Sequence, residues 1–259
     1  MTTPSLKLPS WFAKLLPLVG LALFFLIWWG VAERKWVNPV LLPSPIATLR
    51  QLIDAFTTGG LTEDFNATIR LVFQCFTISA LIGLPIGIAL GSSGNLYRSV
   101  EFLIDFSRST PPPALVPLFL LLFGLGDTSK LAFSVFSVVL IIIFNTAYGV
   151  MNSKKSRILA AKAMGANRFD IFRDVLFWES LPQTFVGLRS GISFTLVIVI
   201  VAEMLMGSEK GLGRRIIADQ QVLNVTDMYA SILIAGFLGY TLNFVFYLID
   251  RRFVHWSDK

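Results

Sequence analysis

The chain is short of charge, cysteine and histidine, and each shortage closes off a class of function. Only 15% of its 259 residues are charged, against about a quarter in an average soluble domain. Hydrophobic residues make up 54% and the mean hydropathy is +0.70, so the chain reads as an integral membrane protein. Its one cysteine, Cys75, lies inside an apolar run, where it can form no intramolecular disulfide and reads as a packing residue. Its one histidine, His255, has no second ligand within sequence reach, so no metal site is expected. Also missing are a GxxxxGK[ST] loop for ATP, a HExxH pair, a nucleophile with a histidine base and a pair of catalytic carboxylates, and the chain is therefore not expected to be an enzyme. The ten-residue alternation of an outer-membrane barrel is absent, and no internal repeat is evident.

What is present is a series of apolar runs near the length of about 20 residues that a helix needs to cross hydrocarbon. They predict an all-α polytopic bundle of about six transmembrane helices. Residues 1–14 form a tail and 15–32 the first span, too long for a signal-peptide core and closed by Trp28-Trp29 in the manner of an interfacial belt. Residues 33–65 form an extracytoplasmic segment with a short amphipathic helix, capped by Ser44 with Pro45 at its first position. The core, 66–259, holds the remaining spans near 67–90, 114–124, 130–151, 185–206 and 228–249. Gly83, Pro85, Gly87 and Gly91 in the second span suit close packing against another helix. Pro111-Pro112-Pro113 forbids regular helix before the third, marking either a functional break or a membrane entrance.

The polar segment 152–183 interrupts these runs. It carries Lys154, Lys155, Arg157, Lys162, Arg168 and Arg173 together with Ala160-Ala161-x3-Gly165-Ala166. Lys7, Lys14, Arg98, Arg108, the basic residues of this segment, Arg251 and Arg252 outweigh Arg34, Lys35, Arg50, Lys130, Lys210, Arg214 and Arg215. The positive-inside rule therefore puts both termini and the segment in the cytoplasm. The net charge of +6 is read as this topology signal and as affinity for membrane lipid, not for nucleic acid. On a helix, Leu159, Ala163 and Ala166 share one face and Ala160 and Ala161 keep the neighbouring surface low, a shape that fits a cleft on a soluble partner. Gly165 permits a stop, and Asn167 caps the amphipathic stretch after it. An ordinary amphipathic interfacial helix is the plainer alternative. Candidate residues along a translocation path are Arg108, Asn145, Thr146, Ser193 and Glu203. Each has a plainer role: Arg108 as a topology anchor, Asn145, Thr146 and Ser193 as bonds across helices, and Glu203 as an interfacial carboxylate pairing Arg214 or Arg215, the role preferred for it.

Several motifs in order carry a resemblance. Ala160-Ala161-x3-Gly165-Ala166, Leu181-Pro182, Gly187-Leu188-Arg189, Ala202-Glu203-Met204 and Gly211-Leu212-Gly213 resemble the inner-membrane permease subunits of ATP-binding-cassette importers, of type I fold, in the nitrate, sulfonate, taurine and bicarbonate branch. Leu42-Pro43-Ser44-Pro45, Gly124-Leu125-Gly126-Asp127 and the closing Arg251-Arg252-x3-Trp256 extend it over nearly everything after residue 40. The resemblance implies a permease in the plasma (inner) membrane of a bacterium, with Leu159, Ala160, Ala161, Ala163, Met164, Gly165, Ala166 and Asn167 as its ATPase-coupling residues. It implies as partners a cytoplasmic ATPase dimer that holds ATP and Mg, an extracytoplasmic solute-binding protein, and a second permease copy, identical before different. The chain itself is implied to hold no cofactor, and the cargo to be a small anion such as nitrate, bicarbonate or a sulfonate. Leu159 and Trp178 depart from the family, which carries Glu and Pro at those places. An ion-coupled secondary transporter is the alternative, and it would favour paired buried ionisable groups.

Overall fold

The computed structural model describes residues 10–57 and 60–254, so Lys7, His255 and Trp256 lie outside it. Helix α1 (Ser10–Glu33) is apolar from Leu18 to Glu33. At its end the Trp28 indole N–H donates to the Pro43 carbonyl at 3.0 Å and stacks near Tyr229, tying α1 to the bundle. Amphipathic α2 (Pro45–Thr57) begins as its sequence requires, with the Ser44 hydroxyl accepting the Ala47 N–H and Pro45 in the first turn.

Among the described residues, four helices are long and apolar enough to cross a membrane: α3 (Leu61–Gly91), α6 (Asp127–Met151), α9 (Phe177–Leu205) with the turns that lead into it, and α11 (Val225–Phe253). Their shared core contains Val72, Phe76, Ile142, Ile192, Val199 and Leu238, with Cys75 fully buried among them. Helices α3 and α6 meet through a glycine stripe. A Cβ at Gly87 would lie 2.6 Å from that of Thr146, and one at Gly91 2.6 Å from the Ala147 carbonyl, so only glycine lets the backbones approach this closely.

Two spans start earlier than expected, the fifth at Phe177 rather than 185. The second span starts at Leu61 rather than 67, because Asp64 and Thr68 in its first turns are held by tertiary bonds that local sequence does not reveal. The break expected at the prolines before the third span is present. Helix α4 (Gly94–Ser109) stops at Thr110, a 3-10 turn follows (Pro112–Leu115), and apolar α5 (Val116–Phe123) completes the stretch. Prolines at 111, 112 and 113 remove the N–H groups that would continue the ladder.

The connections between spans are helical too. α7 (Lys155–Ala163) and α8 (Arg168–Ile171) come after α6, and a π-helical turn (Phe172–Leu176) leads into α9. α10 (Leu212–Gln221) lies between α9 and α11.

Candidate functional site

Each end of α9 carries a carboxylate that meets the start of another helix, the half-buried Glu179 at α7 and the buried Glu203 at α10. The two residues are 24 positions apart, about 36 Å along a helix.

At the α7 end, the helix runs over nine residues and ends where expected. Gly165 takes φ +81°, a left-handed conformation that closes the helix. The Asn167 side chain accepts the N–H groups of Phe169 and Asp170 while Asp170 accepts that of Asn167, a complete capping box. Because the helix stops at Ala163, Ala166 is not on its face with Leu159 and Ala163. Ala161 is turned inward at 7% exposure, so it adds nothing to a low outer surface beside Ala160. The side chains that stand out are Leu159 at 64% and Met164 at 82% exposure. Glu179, which sequence reasoning missed, accepts the Lys154 N–H at 2.5 Å and pairs with Arg157 at 2.6 Å. Its signal was available, since it is the last acid before the span and follows a basic segment.

At the other end, Glu203 is 2% exposed. Its carboxylate accepts the Thr68 hydroxyl at 2.9 and 3.0 Å and the Gly213 N–H at 2.8 Å. Thr68 in turn accepts the Leu212 N–H, and Asp64 that of Gly211. The first N–H groups of α10 are thus satisfied by α3 and α9, and negative charge sits where the helix dipole favours it. This corrects the expected pairing of Glu203 with Arg214 or Arg215. Arg215 meets Asp64 and Asp227, each at 3.4 Å, and Asp227 is further bonded by Gln51 and Asn224. The Ala-Glu-Met and Gly-Leu-Gly motifs belong to one construction, because a side chain at 211 would run into the Glu203 carboxyl. Nearby, burial holds the Asp219 carboxyl above its usual range against the pull of Arg215, while the bond to Glu63 raises the Lys210 ammonium above its own. A cavity of about 540 Å³ opens beside this cluster, with Arg70, Lys130, Glu203 and Lys210 in its wall.

The remaining path candidates are scattered. Arg108 lies 3.8 Å above the Phe144 ring and lines a cavity of about 230 Å³ at the proline break, with Thr110, Pro112, Ser137 and Phe194. Asn145 donates to the Ile141 carbonyl, a residue of that wall, and accepts from Gln183, joining α6 to α9. Thr146 is 1% exposed, packed at the α3–α6 seam. Ser193 accepts from Asn243, which also receives Arg189, joining α9 to α11. Arg108 thus lines one cavity, Asn145 and Ser193 make interhelical bonds, Thr146 is packed at the α3–α6 seam, and Glu203 caps α10 beside the larger cavity.

Comparison with known proteins places this architecture. Residues 83–258 match the family described as binding-protein-dependent transport system inner membrane component. A taurine transport system permease protein of Escherichia coli (strain K12) is 27% identical over 244 residues, covering 92% of this chain and 88% of that protein. A putative ABC transporter permease protein of Methanocaldococcus jannaschii is 30% identical over 242 residues, covering 92% and 91%. A bicarbonate transport system permease protein of Synechococcus elongatus is 28% identical, covering 95% and 88%. In fold, the chain is similar to one of the MetNI methionine ABC transporter in an inward facing conformation, with a TM-score of 0.66 at 21% identity, covering 74% of this chain and 95% of that one. An all-helical multi-pass bundle of this kind is a transport permease of the type I ABC importer fold. The chain belongs to the binding-protein-dependent inner-membrane component family, in the branch that includes taurine, nitrate, sulfonate and bicarbonate permeases.

Proposed function

We propose that this permease imports a small anion and is driven by a cytoplasmic ATPase that docks on residues 159–167. The carrying observation is α7, a short helix at the foot of α9 that exposes Leu159 and Met164 on a basic loop. Large apolar side chains held out beside charges suit a surface that a protein partner covers. With no nucleotide loop in the chain, ATP and Mg belong to that ATPase dimer. Nucleotide binding then favours one permease state through the contacts made at α7. A second permease copy, identical in the simplest assembly and different otherwise, completes the pore, and an extracytoplasmic binding protein delivers the cargo. The basic residues of 152–183 support a cytoplasmic position for this loop and both termini.

The relatives' cargoes, taurine, nitrate, sulfonates and bicarbonate, support an anion. Arg108, a cation beside the cavity at the proline break, is the group suited to meet it, with Asn145 behind. Thr146, Ser193 and Glu203 serve the path indirectly, by fixing the helices that frame it.

Expression of the tagged permease with its neighbouring genes tests the coupling. The wild type retains a soluble ATPase, and Leu159→Asp with Met164→Asp lowers retention at least tenfold while the spans stay folded, because both side chains face outward. Ala161 and Gly165 are poor probes, one being buried and the other left-handed. Uptake of labelled taurine, nitrate and bicarbonate into proteoliposomes identifies the cargo, and Arg108→Gln reduces that uptake with ATPase retention intact. Uptake driven by an ion gradient without any ATPase would instead establish the secondary-transporter reading.

A further inference from the structure

Helix α7 is joined to α9 by two routes of different stiffness. The covalent route passes Met164, the left-handed Gly165, the four-residue α8 and the π-helical turn at 172–176. A π turn inside a helix is a place where register and direction are adjusted, so this route can yield. The second route is polar and short. Glu179, in the first turn of α9, has a side chain only 9% exposed, and it accepts the backbone N–H of Lys154 and the guanidinium of Arg157. Lys154 is the residue that opens α7, and its own side chain makes no cap bond. One carboxylate from the spanning helix therefore satisfies an orphan donor of α7 and faces the positive end of its dipole. A cavity of about 310 Å³, lined also by Asp174, Val175 and Trp178, lies beside the pair, so the carboxylate bridges a gap rather than reinforcing a packed seam.

We propose that Glu179 is a positioning residue that ties the start of α7 to α9, so that movement imposed on α7 passes to the spanning helix without being absorbed by the Gly165 and π turns. This rests on the reading of α7 as the docking helix. Of the two bonds, the backbone N–H is the important one, since Arg157 is 60% exposed and an exposed ion pair contributes little.

The test uses the full-length permease in lipid nanodiscs, in a Cys75→Ser background, with a nitroxide at Met164→Cys and, separately, at Val197→Cys on the outward face of α9. Without any ATPase, Glu179→Ala is expected to raise the mobility of the label at 164 several-fold and leave the label at 197 unchanged, which shows that the bundle is intact. Glu179→Gln, which keeps an acceptor oxygen, falls between the two, and Arg157→Ala stays near wild type. The exchange Glu179→Arg with Arg157→Glu remains mobile, because arginine cannot accept the Lys154 N–H. With the co-purified ATPase trapped by ATP and vanadate, the permease labelled at 197 alone, whose docking surface is unaltered, changes its spectrum with Glu179 in place and does not in Glu179→Ala. Wild-type mobility at 164 in Glu179→Ala, full rescue by the charge exchange, or an unchanged response at 197 overturns the proposal. Since the first measurement needs no ATPase, a permease that retains none would defeat the docking reading alone.

Discussion

The hydroxyl of Thr68 joins three segments far apart in the chain, receiving the Leu212 N–H while donating to Glu203. Both partners are buried, and a buried polar group without a partner costs far more than the bond it replaces contributes. Thr68→Val keeps the shape and removes the hydroxyl, so it should destabilise the purified protein by about 1–3 kcal/mol, read from unfolding in detergent. Sequence reading identified Glu203 and the glycines at 211 and 213 as motifs but gave Thr68 no role. A threonine in an apolar run has no local mark of a partner 144 residues away.

Among the elements, helices with local causes were legible and those fixed by tertiary bonds were less so. Apolar length announced α3, α6, α9 and α11, and Ser44-Pro45 announced the start of α2. Gly165 and Asn167 marked where α7 stops and α8 begins. The inward turn of Ala161 was not legible, because nine residues of mixed polarity do not say which side meets α8 and the π turn. Nor was the early start of α3, which depends on Asp64 meeting Gly211 and Arg215. The glycine stripe was read correctly as a packing surface, and the structure supplies its mate. Gly87→Ala should force α3 from α6 and cost about 1–3 kcal/mol, since the new methyl meets the Ile143 carbonyl as well as the Thr146 side chain. Gly236→Ala in α11, with nothing within 4 Å, should leave the unfolding midpoint unchanged or slightly raised. A gain in both variants would show that helix propensity, not close approach, governs these positions.

At the scale of the whole molecule, α9 links the other long spans to both connecting helices. It packs on α3, α6 and α11, caps α10 with Glu203 and reaches α7 with Glu179. Its two carboxylate sites share no side chain, so their contributions to stability should be independent. Thr68→Val combined with Glu179→Ala should lower stability by the sum of the single effects, within about 0.5 kcal/mol. A clear departure from additivity in detergent unfolding would mean that strain already passes along α9 in the resting protein.

The span between those carboxylates has one more consequence. A helix cannot be shortened without breaking its own hydrogen bonds, so about 36 Å separates two acids that each need a fixed neighbour. The hydrocarbon layer of a typical bilayer is about 30 Å deep, so this separation is enough to hold both acids beyond its faces. The helix is thereby a caliper set to its host membrane. In a markedly thicker bilayer it must stand straighter or draw one acid into oil, and in a thinner one it must lean. Lipid chain length becomes a variable that acts on both ends of the transporter at once.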